Sequence, residues 1–141
     1  MKILSIDPGY ERLGIAILEK KENKEEVLFS ETFQTSMKDI FTDRLFFLGQ
    51  RIEQVIDEYS PEVLSIEKLF FNTNQKTAIN VSQVIGTIIY LSKKNKMEVF
   101  EYTPLQIKSA ITGDGRADKK QVIFMVKQLI KIKKEIKHDD E

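Results

Sequence analysis

The sequence contains no cysteine and one histidine, His138. The first absence removes disulfides, thiolate nucleophiles and cysteine-based zinc sites together. The second leaves no His-rich metal centre, and it puts the one imidazole too near the end of the chain for a Ser/His/Asp set. Any metal must then be held mainly by oxygens, which favours Mg²⁺ or Mn²⁺. No apolar run approaches the ~20 residues of a membrane span. Met1 leads straight into a strand-like segment, so no signal peptide is expected and the location reads as cytoplasmic. The six glycines form neither a GxGxxG nor a P-loop.

What is present describes an ordinary globular chain. Its 141 residues, 41% hydrophobic and 31% charged, suit a single domain, 1–141, with a real core. A net charge of zero hides an uneven distribution. Residues 1–92 carry 10 basic and 14 acidic side chains, net −4, whereas residues 93–137 carry 12 basic and 5 acidic, net +7. A basic block after an acid-bearing one suggests a polyanion held beside a metal site. With charge as the only evidence, a solvated lysine-rich helix face is the commoner explanation.

The chain opens on Ile3, Leu4 and Ile6, then Asp7-Pro8-Gly9, then a second apolar run from Leu13 to Glu19. This reads as a hairpin whose first strand delivers one carboxylate, Asp7, to its C-terminal end. Glu26 to Phe33 predicts a third strand, so the first three close an antiparallel meander. Phe41, Leu45, Leu48, Ile52, Val55 and Ile56 recur at helical steps from about Asp39 to Tyr59, and Ser60-Pro61 ends that helix. Val63 to Ile66 is a short strand that again ends on an acid, Glu67. Coming after a helical crossover, it is most simply parallel to an existing strand. Asn72 to Lys93 predicts a helix whose apolar residues exceed a one-sided stripe, which suggests a dimer partner on its second face. Met97 to Tyr102 is a fifth strand. Thr103-Pro104 with Gln106, and Asp118 with Gln121, are helix starts. The expected architecture is α/β, a mixed five-stranded sheet of three antiparallel strands and then parallel crossovers, flanked by helices.

Asp7 and Glu67 thus sit at the ends of two strands that the topology places side by side, and Asp139 and Asp140 nearly close the sequence. Converging carboxylates repel unless a cation neutralises them. Two ions about 3.5–4 Å apart would activate a water and stabilise the leaving oxygen of a phosphodiester. Metal-assisted phosphoryl chemistry is the reaction class left open.

Four segments resemble one family in order and spacing: Ile6-Asp7-Pro8-Gly9 with Gly14; Ile66-Glu67-Lys68-Leu69-Phe70; Phe100-Glu101-Tyr102 with Gln106-Ile107-Lys108; and Gly113 to Val122. Together they are similar to the motifs of the RuvC Holliday junction resolvases. The resemblance implies a ribonuclease H-like fold and a homodimer, assisted by branch-migration motor proteins. Such a dimer nicks opposed strands of a four-way DNA junction with Mg²⁺ or Mn²⁺, two ions per site. It makes Asp7 and Glu67 the first two catalytic acids and metal ligands. Phe70 becomes an aromatic stacking on bases near the junction centre, and Lys108 and Lys119 phosphate-contacting cations. Asp140, or alternatively Asp139, falls on the third acid, and the helix 72–93 falls where the family dimerises. In the family a fourth acid opens a final helix, and this sequence stops at Glu141 before any such helix. On that reading one metal ligand and a packing helix are missing. The alternatives are therefore a junction-binding dimer that does not cut and, from another class, an actin-like nucleotide-binding fold.

Overall fold

A computed structural model of the chain describes residues 1–22, 24–69, 75–130 and 132. Its elements run β1 (Lys2–Asp7), β2 (Arg12–Lys21), β3 (Lys24–Gln34), α1 (Phe41–Tyr59), β4 (Val63–Glu67), α2 (Gln75–Lys94), β5 (Glu98–Tyr102), α3 (Pro104–Thr112) and α4 (Lys119–Leu129). The strands form one sheet in the order β3-β2-β1-β4-β5. β1, β2 and β3 are antiparallel neighbours, while β4 lies parallel to both β1 and β5. The expected mixed sheet is therefore present, with β1 at its centre.

Alternation along the strands decides which face is core. Leu4 and Ile6 of β1, Ile15 and Ile17 of β2, and Leu64 and Ile66 of β4 are all buried. They join Leu48, Ile52 and Val55 of α1 and Val84 and Ile88 of α2 in one cluster. Both crossover helices therefore cover the same face. On the other face a row of small residues runs across the centre, with Ser5 opposite Ala16 on one side and Ser65 on the other.

Local chemistry sets the element ends. Ser60 leaves α1 in the left-handed region (φ 49°), its N–H still bonded to the Ile56 carbonyl at 2.8 Å. Pro61 then prevents a further helical turn. Val27, Leu28 and Phe29, consecutive apolar residues in a strand, are explained by the register. Ile17 pairs with Phe29 and Leu18 with Val27, so Leu28 is the extra residue of a bulge and is exposed. Thr103 and Asp118 each form a reciprocal capping box with the glutamine three residues on, as the sequence predicts. Of α2's wide apolar surface, Ala78, Val81, Val84, Ile85, Ile88 and Leu91 are buried, whereas Ile79 and Tyr90 are exposed. No described helix is long and apolar enough to cross a membrane.

Candidate active site

The site is built at the carboxyl ends of the three parallel strands, where open α/β sheets collect ligands. Ile6 is the Cα partner of Ile66, so the next residues, Asp7 and Glu67, are neighbours across the β1–β4 joint. Asp7 is also paired with Gly14 of β2, and Glu67 with Tyr102 of β5. Gly14, Asp7, Glu67 and Tyr102 thus form one row on one face of the sheet. The ladder continues one step past Glu67, with Lys68 N–H donating to the Tyr102 carbonyl at 2.8 Å.

Two carboxylates so placed cannot both be comfortable. Glu67 is half-buried, and this burial pushes its carboxyl above the usual range. The charge of Asp7 pushes it further in the same direction, and the Lys108 ammonium partly opposes both. Lys108 reaches the site because the Thr103 cap starts α3 directly after β5, which puts residue 108 on the helix's second turn. The arrangement is an acid pair of crowded negative charge, with the Lys108 ammonium at its edge.

That electrostatic strain is the test of whether a divalent cation fits. Carboxylate oxygens are the donors Mg²⁺ and Mn²⁺ prefer, and a cation between Asp7 and Glu67 would relieve the repulsion that raises Glu67. The pair fits such an ion. Among the described residues no group of three or more acids or imidazoles converges. Asp139, Asp140 and Phe70 lie outside the described residues. Lys119 is exposed at the first position of α4, directly after the Asp118 cap. Of the seven residues singled out from sequence, the structure places Asp7 and Lys108 within electrostatic reach of a third, Glu67.

Sequence reading missed Arg44. It is 7% exposed, and its side chain ties three elements together. Its Nε donates to Thr35 Oγ1 at 2.9 Å, and its Nη2 donates to the Tyr10 carbonyl at 3.4 Å. The Thr35 hydroxyl donates to that same carbonyl at 2.9 Å. The signal was available: Arg44 falls between Phe41 and Leu48 at helical steps, so a charge stands on the stripe that faces inward.

A profile of the family described as crossover junction endodeoxyribonuclease RuvC matches residues 3–141. The chain belongs to the RuvC family. Relatives of that name from Finegoldia magna and Halothermothrix orenii are 44% and 41% identical over 140 residues, covering 99% of this chain and 85% of each relative. Thermus thermophilus RuvC in complex with Holliday junction substrate superposes with a TM-score of 0.89 at 27% identity, covering 99% of this chain and 87% of that one. The yeast mitochondrial Holliday junction resolvase Ydc2, at 14% identity and a TM-score of 0.71, shares the fold. The fold is ribonuclease H-like, as in these RuvC structures, and the family is one of nucleases that depend on divalent metals.

Proposed function

We propose that this chain is a structure-selective endodeoxyribonuclease that nicks four-way DNA junctions during recombination and repair. The observation that carries the reading is the acid pair: Asp7 and Glu67 adjacent at the ends of central parallel strands, with Glu67 held above its ordinary pKa by burial and by Asp7. Such a pair is built to hold divalent metal. Asp7 and Glu67 would hold it, with Asp140 as the third acid. When bound, Mg²⁺ or Mn²⁺, two ions per site, supplies the positive charge that a phosphodiester needs as its transition state develops.

The chain's own residues do the rest. Asp7 and Glu67, as acceptors, can orient a water toward phosphorus; water adds, one P–O ester bond breaks, and a phosphate end and a hydroxyl end result. Lys108, beside Glu67, is placed to draw the phosphate toward the acids. Lys119 contacts the backbone farther along, where the basic stretch 93–137 supplies counter-charge. Phe70 stacks on a base at the junction centre. A homodimer, formed through the exposed Ile79 and Tyr90 side of α2, sets two sites on opposed strands. Branch-migration motors are the partners, and the cytoplasm is the location.

The test is a synthetic four-way junction incubated with the full chain in Mg²⁺, Mn²⁺, Ca²⁺ or chelator. Paired nicks are expected in the first two conditions, and Asp7→Asn should abolish them with junction affinity intact. Binding without nicking in either metal would refute the reading, as would unchanged cleavage in Asp7→Asn.

A further inference from the structure

The turn joining β1 to β2, Pro8 to Glu11, is tethered from outside the sheet. Its Tyr10 carbonyl accepts from two donors, the Thr35 hydroxyl and Arg44 Nη2. Glu11's carbonyl accepts from Thr35 N–H at 3.1 Å. The Tyr10 ring lies beneath the Arg44 guanidinium, 4.9 Å from the ring centre, and meets the edge of Phe41 at 6.1 Å and 65°. One arginine on α1 and one threonine just past β3 therefore fix both the backbone and the ring of this turn.

The tether is short of slack on its way to the acid. Only Pro8 and Gly9 separate Tyr10 from Asp7. The Pro8 ring locks its φ. Gly9 is pressed so closely on the following backbone that a Cβ there would lie 2.2 Å from the Arg12 carbonyl oxygen. A shift at the Tyr10 carbonyl thus has few torsions to dissipate in before it reaches Asp7. Burying a cation is also costly unless its donors are used. An aliphatic residue would continue the α1 stripe more cheaply, so an arginine here reflects a demand for its forked, planar donors.

We propose that Arg44, acting with Thr35, is a positioning residue: it holds the β1–β2 turn, and through it the Asp7 carboxylate, in the place where divalent metal binds. The inference rests on Asp7 being a metal ligand, the reading given above. It adds an indirect support that no strand ladder supplies, of the sort that commonly orients metal ligands from behind.

The experiment measures Mn²⁺ binding to the full chain without DNA, by the loss of free-ion EPR signal, for the parent, Thr35→Val, Thr35→Ser, Arg44→Gln and Asp7→Asn. Thr35→Val keeps shape and backbone bonds but removes the hydroxyl, so it tests the tether even if Arg44→Gln does not fold. Supports directly behind a metal ligand change affinity about 10–100-fold. One step farther back, Thr35→Val and Arg44→Gln should raise the Mn²⁺ dissociation constant roughly three- to tenfold, with Thr35→Ser close to the parent. The metal concentration for half-maximal junction cleavage should rise in parallel, while junction affinity in Ca²⁺ stays unchanged. Parent-like Mn²⁺ affinity in a folded Thr35→Val, with Asp7→Asn losing it, overturns the positioning role alone. Retention of Mn²⁺ affinity by Asp7→Asn overturns the ligand reading beneath it, and the proposal with it.

Discussion

Glu67 should make the metal-free protein less stable than it would be with a neutral residue there. Adjacent parallel strands lie about 4.8 Å apart, so carboxylates in one row sit roughly 5 Å from each other. Unit charges at that separation repel by about 3 kcal/mol at an effective dielectric of 20 and by less than ~1 kcal/mol in bulk water. Glu67 is half-buried, Asp7 is exposed, and Lys108 offsets part of the repulsion. The net cost is therefore nearer the lower figure, about 1 kcal/mol. Glu67→Gln removes the charge and keeps the shape. In chelator at pH 7.5 the variant should melt about 3 °C above the parent, the shift expected for that energy in a domain of this size.

The pH dependence fixes the cause. A carboxyl with a folded-state pKa above its unfolded one carries no penalty while protonated in both states. The penalty grows as pH rises through the unfolded and then the folded pKa, because the folded state binds the extra proton. The advantage of Glu67→Gln should be present at pH 7.5 and vanish near pH 4. Divalent metal should reverse the order. At ten times its dissociation constant a ligand stabilises the parent by about 1.4 kcal/mol, and the variant loses most of that binding. Differential scanning calorimetry in EDTA at both pH values, then in Mn²⁺, reads all three effects. A variant no more stable than the parent in EDTA at pH 7.5 would refute the reasoning. So would an advantage independent of pH, or equal stabilisation of both proteins by metal.

The parts of this site written locally in the sequence were legible. Asp7 before Pro8-Gly9 and Glu67 closing a four-residue apolar strand each announce a strand end by short-range chemistry. The capping boxes at Thr103 and Asp118 did the same for α3 and α4. Bringing Asp7 beside Glu67 required one non-local rule, the parallel return after a helical crossover, and the register obeys it. Family motifs gave Lys108 and Lys119 equal standing. The fold adds an observation for Lys108, which lies within electrostatic reach of Glu67. One feature was hidden because it depends on a partner segment. Leu28 is a bulge residue only relative to the spacing of Ile17 and Leu18 on β2. Arg44's place on the inward stripe was legible from its helical spacing, whereas its acceptors, Thr35 Oγ1 and the Tyr10 carbonyl, lie on segments that the fold brings to α1.

Three further outcomes follow from the same geometry. Lys108→Ala removes the charge that opposes Glu67's upward shift, so the Glu67 carboxyl, followed by NMR in metal-free protein, should titrate at higher pH, whereas Asp7→Asn should move it down; no movement in either would disprove the coupling. Lys119→Ala should weaken junction binding across sequences and lower the slope of log affinity against log salt by about 1; an unchanged slope would place Lys119 off the DNA. Gly9→Ala separates the turn from the core. The added Cβ would stand 2.2 Å from the Arg12 carbonyl oxygen, a backbone atom that cannot swing aside as a side chain would. The turn must open, and Asp7, two residues away, must move with it. Tyr10 of the turn packs against the buried cluster of β1, α1 and α2 without belonging to it, so the fall in melting temperature should be modest, a few degrees for about 1–2 kcal/mol. Metal-dependent cleavage should fall by about 100-fold or more, the cost of an ångström-scale misplacement. A Gly9→Ala protein that cuts junctions at the parent rate would show that the turn is free to relax without carrying Asp7.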